Sequence, residues 1–339
     1  MVDAYMNRLV MDNEIPGAVL IVQHQHRRIL SKSYGVYTAE DLSKQIISKN
    51  TLFDLASLTK VVATLPAILL LISRNKLNLM DSVQKHLPNF RFPHITIQHL
   101  LQHSSGLPAG LEPSVKRHQQ RDIMQEVLAC DVIGQPNEKV RYSDIGMILL
   151  GKTIENVAGL PFQNFVEQEI FEPWGMHNTS FRLSEQKRRE AAATEMVAGK
   201  FVQGIVHDEK ALLLGGVAGS AGLFSCAEDL AKYAEYWLGI TQQSTIPVEW
   251  MKLAFTKTID NRGLGFEVWN GDRSTFCFGR GWTKGSFGHT GFTGTSIWMD
   301  PVKKAFVILL TNAVHYGRNT NIRGIREKLH TMIYENLIT

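Results

Sequence analysis

Ser57-Leu58-Thr59-Lys60 sets a hydroxyl and an amine three residues apart at the point where an apolar, helix-spaced stretch begins. Residues at that spacing share one helix face. A serine alcohol is a weak nucleophile at neutral pH until a neighbour takes its proton, and a lysine stripped of water can help to do so. Two further groups capable of chemistry lie downstream. Tyr142-Ser143-Asp144 offers a phenol and a carboxylate where another helix opens, and Gly288-His289-Thr290-Gly291 offers an imidazole and a hydroxyl between glycines. Ser57 is thus a candidate nucleophile, with Lys60 and Tyr142 as a candidate base system in which either group could relay the proton. A lysine in an apolar setting is expected to lose affinity for its proton.

The elements that must position these groups follow from periodicity. Residues 17–22 and 29–36 read as two strands joined by the polar turn 24–28. From about residue 57 to 183 the spacing is helical, with apolar-faced segments at 61–72, 123–129 and 146–157. After about residue 215 the pattern predicts a helix at 228–238, strands near 263–269, 294–299 and 306–311, and a last helix at 322–336. Strands at both chain ends with helices between them imply an α+β fold: one antiparallel sheet built from both termini, flanked by helices, with a mostly helical region inserted. The expected division is 1–60 with 215–339 as the sheet part and 61–214 as the helical part, with the active site at their interface.

Composition narrows the function classes. At 339 residues, 44% hydrophobic and 20% charged, the chain is long enough for one large domain or two lobes. Its 36 Lys and Arg against 32 Asp and Glu leave +4, and the basic runs His26-Arg27-Arg28 and Lys187-Arg188-Arg189 are short and polar, which speaks against nucleic acid as a partner. Cys130, Cys226 and Cys277 are widely spaced and odd in number, so neither a disulfide framework nor a cysteine metal site is expected. The most apolar run, 67–72, is far short of the roughly 20 residues of a membrane span. Residues 1–10 lack a basic stretch followed by an apolar one, so the sequence as it stands reads as cytoplasmic; removal of a leader would instead place it outside the cytoplasm. Oligomeric state is left open.

The order of the three motifs, with about 80 residues between the first two and roughly 150 between the second and third, resembles the serine β-lactamase and penicillin-binding protein superfamily. The likeness is to class C β-lactamases, soluble D-alanyl-D-alanine carboxypeptidases and their esterase relatives, whose marks are S-x-x-K, Y-x-N and K-T-G or H-T-G. Residues 100–108 (LLQHSSGLP), 171–176 (FEPWGM), 215–225 (GGVAGSAGLFS) and 288–301 (GHTGFTGTSIWMDP) resemble the family too. The resemblance implies a β-lactamase/transpeptidase-like fold and a serine hydrolase working through an acyl-enzyme on an amide or ester, with no cofactor. A cell-wall peptide, a D-amino-acid peptide or a small ester would be the substrate, with β-lactam hydrolysis at most weak. It also implies an oxyanion hole formed by the backbone N–H groups of Ser57 and of Phe292, the latter on the strand edge after His289-Thr290-Gly291, and substrate contacts at Asp144, His289, Thr290 and Gly291. The alternative is a protein of the same fold that binds penicillin or muropeptides with little turnover.

Two departures bear on substrate. His289 stands where many β-lactamases carry lysine, which removes a permanent cation from the site. Asp144 replaces the usual asparagine, exchanging an amide that donates and accepts for a carboxylate that only accepts; it could hold Lys60 charged or favour a substrate with N–H groups or an amine. Weaker constellations remain. His99 and His103 lie one helical turn apart and could share a metal, although the Glu of H-E-x-x-H is missing, so no metal is expected. Ser220, within Ala218-Gly219-Ser220-Ala221-Gly222, comes near a nucleophile-elbow pattern and is a rival nucleophile. His207-Asp208-Glu209 is either a loop lining the cleft or a solvated turn.

Overall fold

A computed structural model describes residues 1–241, 245–271 and 278–338; Cys277 lies outside the described residues. Helix α1 (Val2–Met11) opens the chain and buries Val2, Met6 and Leu9, a spacing of four and three that marks one helix face. The sequence reading did not anticipate it, although that spacing was its signal. Strands β1 (Gly17–His24) and β2 (Arg27–Thr38) form the expected hairpin with a tighter turn, and β3 (Lys44–Ile46) adds to its outer edge. The short strand β4 (Phe53–Asp54) then leads into the helical run α2 (Ala56–Ser73).

Strand β5 (Phe224–Ser225) pairs with β4. Apart from a small hairpin of Met196–Val197 with Lys200–Phe201, the other strands are β6 (Glu267–Val268), β7 (Phe287–Thr290), β8 (Ser296–Asp300) and β9 (Ala305–Thr311). Together they complete a seven-stranded antiparallel sheet in the order β3-β2-β1-β9-β8-β7-β6. The first and last thirds of the chain therefore meet at its centre, where Val19 pairs with Leu310 and Ile21 with Ile308. The strand expected at 263–269 shortens to Glu267–Val268, because Gly265 takes a left-handed φ of 80° that interrupts extended backbone.

Both central strands are buried on both faces, which explains why their sequences are apolar throughout instead of alternating. Val19, Ile21, Ile308 and Leu310 face the large helical body. Ala18, Leu20, Val22, Val307 and Leu309 face the terminal layer of α1 and the carboxy-terminal helix Ile322–Ile333.

Among the described residues α2 is the one helix long and apolar enough to cross a membrane, with 18 residues at a mean hydropathy of 1.8, yet 89% of it is packed inside this core. It begins as a 3₁₀ turn (Ala56–Leu58), widens to a π turn (Lys60–Thr64) and only then becomes regular α-helix (Leu65–Ser73). The Tyr233 hydroxyl, donating to the Val61 carbonyl at 2.7 Å, enters the ladder where it widens.

Helix α3 (Ile123–Ala129) falls at its expected bounds, and α4 (Asp144–Ala158) opens at the Tyr142-Ser143-Asp144 motif as expected, with the Ser143 hydroxyl accepting from Gly146 N–H at its start. Against α4 lies the loop 215–222. A Cβ on Gly219 would stand 2.1 Å from the Met147 carbonyl oxygen and 2.9 Å from the Gly151 nitrogen, so the two backbones touch where only glycine fits. Helix α5 (Ala227–Trp237) and helix α6 (Ile322–Ile333) close opposite faces of the sheet. Replacing Gly219 by Ala should destabilise the fold by about 1–3 kcal/mol through overpacking of a rigid backbone contact. Thermal unfolding of the variant measures this, and an unchanged melting temperature would contradict the contact.

Candidate active site

The sharp entry to α2 aims Ser57 into a cleft. Ala56 has φ +46°, a left-handed conformation unusual for a residue with a Cβ, and the 3₁₀ turn that follows leaves Ser57 partly exposed while its neighbours are buried. Lys60 is fully buried. Its ammonium donates to Ser57 Oγ at 2.9 Å and to the Ser220 carbonyl at 2.8 Å, and pairs with Asp144 Oδ1 at 2.8 Å. The three expected motifs thus converge: Tyr142, just before α4, lies with its ring centre 4.9 Å from Lys60 Nζ, and its ring neighbours that of His289 at 5.9 Å.

Electrostatics at Lys60 differ from the sequence expectation. Burial pushes its pKa down, but the Asp144 carboxylate, the Tyr142 side chain and their hydrogen bonds more than reverse this, and the net direction is up. Asp144 moves the other way. Burial pushes its carboxyl up, while Lys60 and then Lys210, 3.2 Å from Oδ2, pull it below the ordinary value. Lys210 is held in turn by Asp208 at 2.8 Å. The resting site therefore contains an ammonium that donates to the serine.

His289 and His103 share the opposite fate. Burial, followed by the charges of Arg262 and Lys60, pushes both imidazoles well below their ordinary range, so both are neutral at physiological pH. His289 Nδ1 lies 2.8 Å from the Thr290 carbonyl, which can only accept. The proton thus sits on Nδ1, and the buried Nε2 is left as a bare acceptor. His103 accepts Ser143 N–H on Nδ1 and packs its ring 4.6 Å from that of Tyr142, which orients the phenol. His99 instead caps its own short helix through Nδ1 and faces Asn137 through Nε2, so the two histidines serve separate structural tasks. Ser220 contributes its backbone carbonyl; its hydroxyl is buried and points to no partner among the described residues.

Thr290 ends strand β7 while Gly291 and Phe292 form the turn beyond it, so Phe292 lies past the strand edge expected of it. A Cβ on Gly291 would lie 2.4 Å from the Leu55 carbonyl oxygen, which shows how closely this turn presses on the segment leading to Ser57. Ser57, Tyr142, His289, Thr290, Gly291 and Phe292 line one cleft of about 470 Å³, whose other walls carry Arg262, Glu267, Arg318 and Arg326. These charged residues escaped the sequence reading, since no motif surrounds them. Arg262 lies 5.8 Å from the Tyr142 ring centre, with Nε and Nη1 buried and without a hydrogen-bond partner among the described residues. The His207-Asp208-Glu209 segment is wired into the site, not solvated: His207 is buried beside Glu195 at 3.2 Å, and Glu209 pairs with Arg318 at 2.6 Å.

A serine and a tyrosine gathered around a buried lysine at the edge of an antiparallel sheet mark the acyl-transferring serine hydrolases, and residues 2–330 match the beta-lactamase family. The chain belongs to that family. It is 34% identical, over 88% of its length and 78% of the other, to an N-acetylmuramyl-L-alanine amidase of Bacillus subtilis (strain 168). It is 30% identical, over 90% and 80%, to a protein assigned as a D-alanyl-D-alanine carboxypeptidase in Escherichia coli (strain K12). Among solved structures it superposes on a beta-lactamase/D-alanine carboxypeptidase from Pseudomonas syringae with a TM-score of 0.79 at 18% identity, covering 99% of this chain and 98% of that one. A hydrolase with promiscuous acyltransferase activity superposes with a TM-score of 0.78 at 22% identity, covering 96% and 97%.

The raised pKa of Lys60 fixes the sign of its pH dependence. Its ion pair is complete below the lysine's ordinary 10.5 and is lost as pH rises through the raised folded value; on the acid side it is lost as Asp144 protonates, below 3.8. Asp144→Asn should therefore move the alkaline limb of the kcat/KM profile to lower pH, and a limb that stays in place would show that Lys60 charge is not what the limb reports.

Proposed function

We propose that the chain is a serine hydrolase that cleaves an amide or ester of an anionic peptide, with Ser57 as nucleophile and Lys60 and Tyr142 as its proton-handling partners. The observation that carries this reading is the Lys60 ammonium, fully buried and bonded to Ser57 Oγ at 2.9 Å. Ser57 Oγ adds to the substrate carbonyl as its proton passes to the oxygen of Tyr142 in its phenolate form, the phenol's own proton having first gone to solvent and the Lys60 ammonium offsetting the charge. The carbon–nitrogen or carbon–oxygen bond then breaks, and the proton leaves on the departing amine or alcohol. A water, activated by the same group, adds to the Ser57 ester; the acid departs and the serine regains its hydrogen. Lys60, held charged by Asp144, stabilises negative charge on the serine and phenol oxygens throughout. The backbone N–H groups of Ser57 and Phe292 are proposed as the oxyanion donors.

The substrate lies where residues 1–60 with 215–339 face residues 61–214, a division supported by a cleft that draws Ser57 and His289 from one part and Tyr142 from the other. Neutral His289 offers no cation. Arg262 does, on the wall beside Tyr142, and its uncommitted guanidinium edge suits a carboxylate near the scissile bond. The names of the relatives, an amidase and a carboxypeptidase, favour cell-wall peptides as the source of such a group.

A fluorophosphonate probe should label the wild type at Ser57 and leave Ser57→Ala unlabelled; equal labelling of both would refute the nucleophile. Lys60→Ala and Tyr142→Phe should each slow acylation about 100-fold in pre-steady-state bursts, the usual size of a lost general base. Arg262→Gln should raise KM about 10-fold for peptides ending in a free carboxylate, the loss of a charge-assisted bond, and leave C-terminal amides unchanged. An equal effect on both peptides would assign the carboxylate elsewhere.

A further inference from the structure

Asp54 takes no part in proton transfer, yet it is almost fully buried three residues before the nucleophile, and both its carboxylate oxygens are engaged. Oδ1 accepts the N–H of Ala56 at 2.8 Å, and Oδ2 accepts the N–H of His207 at 2.6 Å. The first bond holds the residue whose left-handed backbone turns the chain into Ser57. A residue with a Cβ keeps that conformation only when its surroundings impose it. The second bond holds His207, whose ring stacks on Phe292 with centroids 5.7 Å apart and planes 24° apart.

The backbone of the same segment meets the turn after β7. The Asp54 carbonyl accepts from the Thr293 hydroxyl at 2.7 Å, and the Leu55 carbonyl from the Thr295 hydroxyl at 3.1 Å. Every route from the Ser57 N–H to the Phe292 N–H through these contacts passes Asp54 or its neighbour.

We infer that Asp54 is a positioning residue for the oxyanion hole: one carboxylate sets the direction of the Ser57 N–H through Ala56 and the seat of Phe292 through His207. This rests on the acyl-enzyme reading above. The role differs from that of Asp144, which acts on charge at Lys60. Asp54 acts on where two neutral donors stand, so its loss should be felt only when the carbonyl oxygen carries charge.

Asp54→Asn keeps the shape and exchanges one acceptor for an amide facing an N–H. For p-nitrophenyl ester hydrolysis, kcat per titrated active site should fall about 100-fold, the usual effect of losing one oxyanion donor, with KM within about twofold of wild type. Affinity for phenylboronic acid, whose adduct with Ser57 carries the tetrahedral charge, should fall by the same factor. Ala56→Gly placed in that background should restore both by about 10-fold, since glycine takes a left-handed backbone unaided. Should Asp54→Asn fail to fold, Thr293→Val removes the hydroxyl bridge, and should lower kcat and boronate affinity in parallel. A loss of melting temperature and of active fraction, with kcat per site and boronate affinity intact, would overturn the inference and leave the nucleophile assignment standing. Hydrolysis retained in Ser57→Ala would overturn both.

Discussion

The buried ammonium of Lys60 is the interaction around which the site is arranged. A charge taken out of water is costly unless the protein replaces its hydration with fixed partners. Three hydrogens need three acceptors, and the fold supplies one from the same helical turn, the Ser57 hydroxyl, and two from remote segments, the Ser220 carbonyl and the Asp144 carboxylate. The π turn in α2, the glycine contact between α4 and the 215–222 loop, and the capped start of α4 all serve to bring those acceptors within 3 Å of one nitrogen. Ser57 Oγ is thereby held by the same ammonium that the proposed acylation would use to offset its charge.

Neutrality is engineered with equal care around this charge. His103 and His289 flank Tyr142, and each is buried near the cations Arg262 and Lys60, so protonating either would add a third positive charge to the cluster. The imidazoles consequently act as shape and as acceptors. Permanent positive charge in the cleft sits on the arginines of its wall, and strand β7 itself carries the neutral His289.

Much of this was legible in the residues. Ser57, Lys60, Tyr142 and the His289-Thr290-Gly291 strand end announce themselves by type and spacing, and the central strands by their unbroken apolar runs. Asp144 as the anchor of Lys60 could be suspected, but the direction of the lysine's shift could not be, since burial and pairing oppose each other and only distances decide between them. Arg262 and Glu195 carried no signal because their meaning lies in what stands opposite, more than 100 residues away in sequence. The short strand β6 was overestimated for a local reason: Gly265 bends a stretch whose composition otherwise favours extension.

The hydroxyls that brace the approach to Ser57 come from Thr293 and Thr295, 239 and 240 residues further along the chain than the carbonyls they reach. Strand β1, made first, likewise waits for β9 as its neighbour. Contacts of such separation close late, after the intervening chain exists and has collapsed. During synthesis on the ribosome Ser57 is therefore present for most of the elongation time before the hydroxyls and the neighbouring strand that brace its approach have been made.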